Sequence, residues 1–263
     1  MVSKEAGGIP ALPQISLLSL VPYNELSTFA LILRAIVTMT PSRSDRETVH
    51  ARIRERLYTA VLSDVLDTLN FREQAFPPSI RPLDESLIMV GYARTGLYRE
   101  VHDIVPDENP YELEIALVDD LKPGDVAVFG CGGSNRIAPW GELLSTTARV
   151  RGAAGCVTDG MVRDIRAIRN LRFPVFHAGI APLDSKGRGK VAEIDVPIRC
   201  AGVAIIPGDL IVGDADGVIV VPRALEEQAL ALAFEKVASE NRTRDELAAG
   251  AKLRDVFAKY RVL

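Results

Sequence analysis

Apolar residues recur at helical spacing from Glu47 to Asn70, where Ile53, Leu57, Val61, Val65, Leu66 and Leu69 share one face, and this predicts a single helix. From Ser79 to Tyr98 the rhythm shortens to brief apolar runs broken by Pro82, Asp84 and Gly91, which predicts strands. Helical spacing returns over Tyr111 to Leu121, Trp140 to Arg151 and Ile165 to Asn170. Short apolar runs, Ala154 to Thr158 and Pro174 to Ala178, alternate with the last of these helices, so the pattern is α/β. Two segments look alike: Lys122-Pro-Gly-Asp-Val-Ala-Val-Phe129 and Ile206-Pro-Gly-Asp-Leu-Ile-Val212. Each sets a Pro-Gly-Asp turn before an apolar run, chemistry that reverses the chain and launches a strand. Val191 to Pro222 reads as strands and turns, and one long helix from about Arg223 to Ala249 is expected to finish the chain.

Ahead of this body, Ile15 to Val21 and Phe29 to Met39 are strongly apolar, but Pro22, Asn24, Glu25 and Arg34 interrupt them. Neither half reaches the roughly 20 continuous apolar residues that a membrane span needs. Lys4 is balanced by Glu5 and no small-residue cleavage site follows, so a secretory signal fits poorly as well. Residues 1–45 are expected to be an N-terminal extension packed on the body or on a neighbouring subunit, with Met39 as an alternative start. Thr40 to Arg46 reads as a linker and 46–263 as one domain.

With 48% apolar residues in 263, the chain can bury a substantial core. Its net charge of -4 offers no broad basic field, so neither a nucleic-acid nor a membrane partner is expected. Cys131, Cys156 and Cys200 are far apart, odd in number and form no CxxC pair, which suits a reducing, cytoplasmic compartment better than a disulfide framework.

Candidate chemistry is densest from Val126 to Asp164. A strand runs into the glycine-rich Gly130 to Asn135, and Pro139-Trp-Gly-Glu-Leu-Leu144 reads as the first turn of the next helix. The outward-pointing amides near Leu143 and Leu144 could receive a carboxylate or phosphate. No GxGxxG or GK[ST] pattern is completed, so nucleotide loops and the adenosyl loop of a methyltransferase find no support. Further on, Asp159-Gly-Met-Val-Arg-Asp164 puts Arg163 and Asp164 at the carboxyl end of a strand, where α/β sheets commonly bind ligands. An arginine can grip a planar carboxylate while the adjacent aspartate holds a hard divalent cation. On local sequence alone, a turn at Asp159-Gly160 followed by a surface ion pair remains the other reading. His177 is expected to be a packed or loop histidine, Trp140 to sit in the core, and Gly213-Asp-Ala-Asp-Gly217 to be a hairpin turn rather than a calcium loop. Asp184-Ser-Lys-Gly-Arg-Gly189 is expected to be a mobile basic loop, either an ordinary exposed turn or a cover for an anionic substrate.

Trp140-Gly-Glu-Leu-Leu, Arg151-Gly-Ala-Ala-Gly155 and Thr158-Asp-Gly-Met-Val-Arg-Asp164 together resemble the signature of the RraA-like family. That family includes the class II pyruvate aldolases acting on 4-hydroxy-4-methyl-2-oxoglutarate. Its mark is an acidic residue, twenty residues, then Arg-Asp, the spacing of Glu142 to Arg163-Asp164. Phe173-Pro-Val-Phe, Pro207-Gly-Asp209 and Gly213-Asp-Ala-Asp-Gly-Val extend the likeness to the C-terminal half. The resemblance implies an αββα sandwich around a swivelling-type β/β/α core, assembled as homotrimers or homohexamers. It implies a lyase, aldolase or oxaloacetate decarboxylase, that forms pyruvate through a metal-stabilised enolate. Asp164 would ligate Mg²⁺ or Mn²⁺, Glu142 would hold one of the metal's waters, and Arg163 would bind the 2-oxo acid with Gly141 and the amides of Leu143 and Leu144. Glu240 would reach the metal's water shell from an adjacent subunit. The family's aldolases carry aspartate where this chain has Glu142. The same family includes a non-catalytic regulator that binds and inhibits ribonuclease E, which is the alternative function. No histidine or lysine stands in the motif, so the proton in catalysis is expected to pass through a metal-ordered water.

Overall fold

The chain divides into two units between Ser44 and Asp45, and the computed structural model describes residues 43–261. The apolar runs Ile15 to Val21 and Phe29 to Met39, the alternative start at Met39 and nearly all of the expected extension lie outside those residues. The expected linker does not persist to Arg46, because helix α1 (Arg43–Arg56) begins within it. Among the described residues, no helix is long and apolar enough to cross a membrane.

The single helix expected over Glu47 to Asn70 is two, α1 and α2 (Thr59–Thr68). The break has a local cause. Asp214, distant in sequence, accepts hydrogen bonds from the Thr59 amide and hydroxyl, both at 2.7 Å. This carboxylate caps the start of α2 in place of another helical turn. The apolar face survives the interruption, since Ile53, Leu57, Val61, Val65 and Leu66 are all buried.

Strand β2 (Met89–Glu100) is the axis of an eight-stranded mixed sheet. To one side, β3 (Asp125–Gly130), β4 (Gly155–Val162) and β5 (Val175–Ile180) follow in parallel, and the short β1 (Arg81–Pro82) closes that edge antiparallel. The far half of β2 pairs with β6 (Gly189–Ile194), and its near half with β9 (Leu210–Gly213), beyond which lies β10 (Val218–Val221). A separate hairpin is formed by β7 (Ile198–Cys200) and β8 (Val203–Ile205).

Alternation along the strands sorts the side chains into layers. Val126, Val128, Val157, Phe176 and Ile211 pack with Ile198 and Ile205 of the β7–β8 hairpin. On the opposite face, Ala127, Phe129, Cys156 and Val175 pack against α3 (Glu112–Asp119), α4 (Glu142–Val150) and α5 (Ile165–Leu171). Val90, Leu210, Val212 and Ile219 pack against α1, α2 and α6 (Glu226–Ala248). The architecture is α/β, an αββα sandwich with a swivelling-type β/β/α core, as expected. The chain does not finish on α6, however. After Gly250, whose φ is 93°, it turns into α7 (Leu253–Tyr260), and the Tyr260 hydroxyl donates to Glu246 at 2.6 Å.

The two Pro-Gly-Asp turns are built alike. Asp125 N–H donates to the Lys122 carbonyl at 3.0 Å, and Lys122 N–H to the Asp125 carboxylate at 2.8 Å. Asp209 and Ile206 repeat both bonds at 3.0 and 2.8 Å. Gly124 and Gly208, at φ 84° and 90°, take the left-handed position such a turn demands.

Candidate active site

β4 runs on through Asp159-Gly160 to Val162, so Arg163 and Asp164 are the first residues beyond its carboxyl end. The turn reading at Asp159-Gly160 is thereby replaced by a register irregularity against β5 between Thr158 and Met161. Asp159 is buried there, and its carboxylate accepts the amide N–H groups of Cys131, Gly133 and Ala201. The glycine-rich loop is therefore folded around the chain's own carboxylate, and the anion those loop amides face is Asp159.

The second half of the expected cradle is open. Trp140 forms a parallel bridge to Val162, and its carbonyl accepts the Arg163 N–H at 3.1 Å. Its wholly buried indole stacks on Phe173 and donates to the Ser145 hydroxyl at 2.8 Å, which in turn donates to the Gly141 carbonyl at 2.9 Å. These bonds fix the entry into α4 beside the Arg-Asp pair. Gly141 is the N-cap residue, the Glu142 amide points to the Asp164 carboxylate at 3.3 Å, and the amides of Leu143 and Leu144 complete a first turn without intrahelical acceptors. Asp164 holds φ at 57°, a left-handed conformation that aspartate tolerates better than most residues.

Two hollows meet at Asp164. One, about 430 Å³, is lined by Gly141, Leu143, Leu144, Arg163 and Asp164 together with Tyr111, Glu114, Asp184 and Ser185. The other is wider, about 810 Å³, and takes in Glu142, Arg166 and Arg169 with Asp164. Arg163 and Asp164 thus open into one concavity, while Glu142 lines the other with the shared aspartate. The Arg163 guanidinium is not consumed by a tight pair. It stands 3.7 Å from Asp164 and 3.8 Å from Asp184, and donates to the Leu183 carbonyl at 3.3 Å, which leaves donors for a ligand carboxylate.

Asp184 and Ser185 are what the loop at 184–189 offers this cavity. Its basic Lys186 lines a separate crevice with Ile104, so the idea of a basic cover is corrected. Burial opposes charge on Asp184, but the Tyr111 hydroxyl, donating at 2.7 Å, and nearby Arg163 outweigh it and hold the carboxyl below its usual range.

Glu114 was not anticipated. It sits on α3, buried, with the Tyr98 hydroxyl donating to its Oε2 at 2.7 Å, and burial pushes its carboxyl up to about 7. A signal for it exists in the sequence: Glu114 falls in phase with Leu117, Val118 and Leu121, so a carboxylate interrupts an apolar stripe.

Glu240 lines neither hollow of its own chain. It lies on α6, accepts from the Tyr58 hydroxyl and stands 3.9 Å from Lys236. His177 is packed on β5, where burial lowers its pKa, and Asp214 caps α2 from the β9–β10 hairpin rather than forming a calcium loop.

Among the described residues no cluster of three or more His, Cys, Asp and Glu side chains is arranged to hold a metal. Zinc, which wants three or four nitrogen or sulfur donors, does not fit. Asp164 and Glu142 are hard oxygen donors facing an open hollow, a sparse set that suits Mg²⁺ or Mn²⁺, ions that keep much of their water.

A strand-end cavity in an α/β sheet, with an Arg-Asp pair beside a helix N-terminus, has the donors and positive charge to receive a small anion. The chain belongs to the RraA-like family, whose Aldolase/RraA model matches residues 59–220. It is 40% identical over 182 residues, 69% of this chain and 80% of the relative, to a Halalkalibacterium halodurans protein named "Putative 4-hydroxy-4-methyl-2-oxoglutarate aldolase". A Thermus thermophilus protein named 4-hydroxy-4-methyl-2-oxoglutarate aldolase is 35% identical over 99 residues, 38% of this chain and 60% of its own. Among solved structures, Streptomyces coelicolor RraAS2, described as an unusual member of the RNase ES inhibitor RraA protein family, is 27% identical with a TM-score of 0.66, over 78% of this chain and 97% of that one.

Proposed function

We propose that this protein is a divalent-metal-dependent lyase that cleaves 4-hydroxy-2-oxo acids, of the 4-hydroxy-4-methyl-2-oxoglutarate type, or oxaloacetate, to pyruvate. The observation that carries the reading is the convergence of Arg163, Asp164 and the α4 N-terminus on one cavity. In this reading Arg163 takes the substrate's 1-carboxylate through paired hydrogen bonds, and the Leu143 and Leu144 amides share that anion. Asp164 would be the direct ligand of Mg²⁺ or Mn²⁺, and Glu142, with Glu240 of an adjacent subunit, would hold its waters. Such a cation supplies Lewis acidity where negative charge develops on the 2-oxygen. Arg163 adds a fixed positive charge to the same region. Breaking the bond beyond the 2-oxo group leaves pyruvate as its enolate, so aldol cleavage and decarboxylation share one intermediate and need no lysine Schiff base. A homotrimer or homohexamer is the assembly in which Glu240 could serve a neighbour's site.

The test is pyruvate release from oxaloacetate and from 4-hydroxy-4-methyl-2-oxoglutarate, with EDTA and after Mg²⁺ or Mn²⁺ is restored. Turnover that EDTA stops and metal restores is the expected result; turnover indifferent to metal sinks it. A second reading, a non-catalytic regulator that binds a ribonuclease, is favoured by the likeness to RraAS2 across 97% of that chain. It predicts no turnover of either acid under any metal condition.

A further inference from the structure

The family signature contains no histidine or lysine, yet a further carboxyl group outside it lines the cavity. Glu114 shares the cavity with Arg163: the residue is only 6% exposed and nevertheless lines the hollow. Its Oε2 is held by the Tyr98 hydroxyl at 2.7 Å, and Ser185 is a further lining residue. A carboxyl group kept in an apolar stripe, aimed by a tyrosine and opening on a ligand cavity, has no packing reason to be glutamate. Glutamine or leucine would fill the place with no charge to desolvate.

We propose that Glu114 is the acid–base residue of this site, carrying the proton between the substrate's 4-hydroxyl and the C3 carbon. The proposal rests on the lyase reading above. In aldol cleavage the Glu114 carboxylate takes the 4-hydroxyl proton as C4 becomes a ketone. The C3–C4 bond breaks, and its electron pair forms the C2–C3 enolate. The neutral Glu114 carboxyl then returns the proton to C3, so one 4-hydroxy-4-methyl-2-oxoglutarate gives two pyruvates with no net proton exchanged. With oxaloacetate, CO₂ departs, Glu114 protonates C3, and solvent restores the acid.

The other lining groups are poorly suited to this task. Arg163 stays charged. Desolvation, followed by the hydrogen bond to Asp184, pushes the Tyr111 hydroxyl up to about 12, while Asp184 is held ionised beside Tyr111 and Arg163. Glu114 feels burial first, then the opposing Tyr98 hydrogen bond, the repulsion of Asp184 and the attraction of Arg163. The balance brings its carboxyl up to about 7, where both forms are populated near neutrality.

The experiment follows deuterium entry into the pyruvate methyl group in D₂O with Mg²⁺, by NMR, alongside oxaloacetate turnover. Glu114→Gln, which keeps an acceptor for Tyr98, is expected to lose about 100-fold or more in both, the usual contribution of general acid–base catalysis, with KM for oxaloacetate little changed. Glu114→Asp retains the acid one methylene further back; a smaller loss of about 10-fold is expected, and this variant decides the matter if the glutamine form does not fold. Wild-type exchange in either folded variant overturns the assignment and leaves the lyase reading standing. A wild-type protein that neither exchanges nor cleaves with Mg²⁺ or Mn²⁺ overturns both.

Discussion

The Asp164 carboxylate lies over Gly141: its Oδ2 is 2.7 Å from the point where a β-carbon on residue 141 would stand, and the Arg163 Cγ is 3.2 Å from it. The backbone of Gly141 is extended, so glycine is required by this close approach and not by its dihedrals. Gly141→Ala must displace the Asp164 head group by a few tenths of an ångström. Because small misplacements of a reacting group cost up to about 100-fold, kcat/KM for oxaloacetate should fall at least about 10-fold, with a higher Mg²⁺ requirement and a nearly unchanged melting temperature. Unaltered Mg²⁺ titration curves would show that Asp164 is not a ligand.

Arg163→Ala and Asp164→Ala should each remove activity while leaving the fold intact, since both side chains are nearly half exposed, at 41% and 47%. A loss of about 100- to 1,000-fold is expected for the arginine, the scale of one charge-stabilising donor. Lysine at 163 should rescue little, because it lacks the planar fork. Circular dichroism and steady-state kinetics on the same preparations check this, and wild-type rates in either folded variant refute the site.

Glu114 links stability to pH. Its folded pKa of about 7 lies above the ordinary value of 4.5. Its contribution is therefore fully present below about pH 4.5 and is lost as pH rises through 7. The change is on the order of 3 kcal/mol, from about 1.4 kcal/mol per pKa unit. Urea midpoints of wild type and Glu114→Gln, compared at pH 5 and pH 8, should differ in this sense: wild type loses more stability at pH 8. Parallel pH dependences would mean that Glu114 titrates normally.

Asp159→Ala should be strongly destabilising, because three amide donors lose their shared acceptor in a buried place. With about 1 to 3 kcal/mol for each unsatisfied buried group, a loss of at least about 3 kcal/mol is expected in urea unfolding. Hydrogen exchange at Cys131, Gly133 and Ala201 should quicken together. Protection unchanged at all three sites would contradict the role.

Much of this molecule was legible from its residues, for identifiable reasons. The strands and their order of appearance followed from short apolar runs and Pro-Gly-Asp turns, whose chemistry is local. Arg163, Asp164 and the α4 N-terminus were found because they lie within one strand–helix–strand stretch, where sequence neighbours are also spatial neighbours. What escaped depends on distant contacts. Asp214 breaks the first long helix from the β9–β10 turn, and Asp159 occupies the glycine loop from a neighbouring strand. Glu114 reaches the cavity only because α3 packs beside β2 and β6. Periodicity reports how a segment meets an interior, and says little about which remote carboxylate will meet it there.

Trp140 lies in the interior, yet it ties the site to the core: its carbonyl accepts the Arg163 amide, its indole donates to Ser145, and its ring packs on Phe129 and Phe173. Rigidity and reactivity in this protein therefore share a single hinge pin. A drift in the hydrophobic packing around residues 129 and 173 would be felt first as a mis-set clamp, before any loss of folded protein.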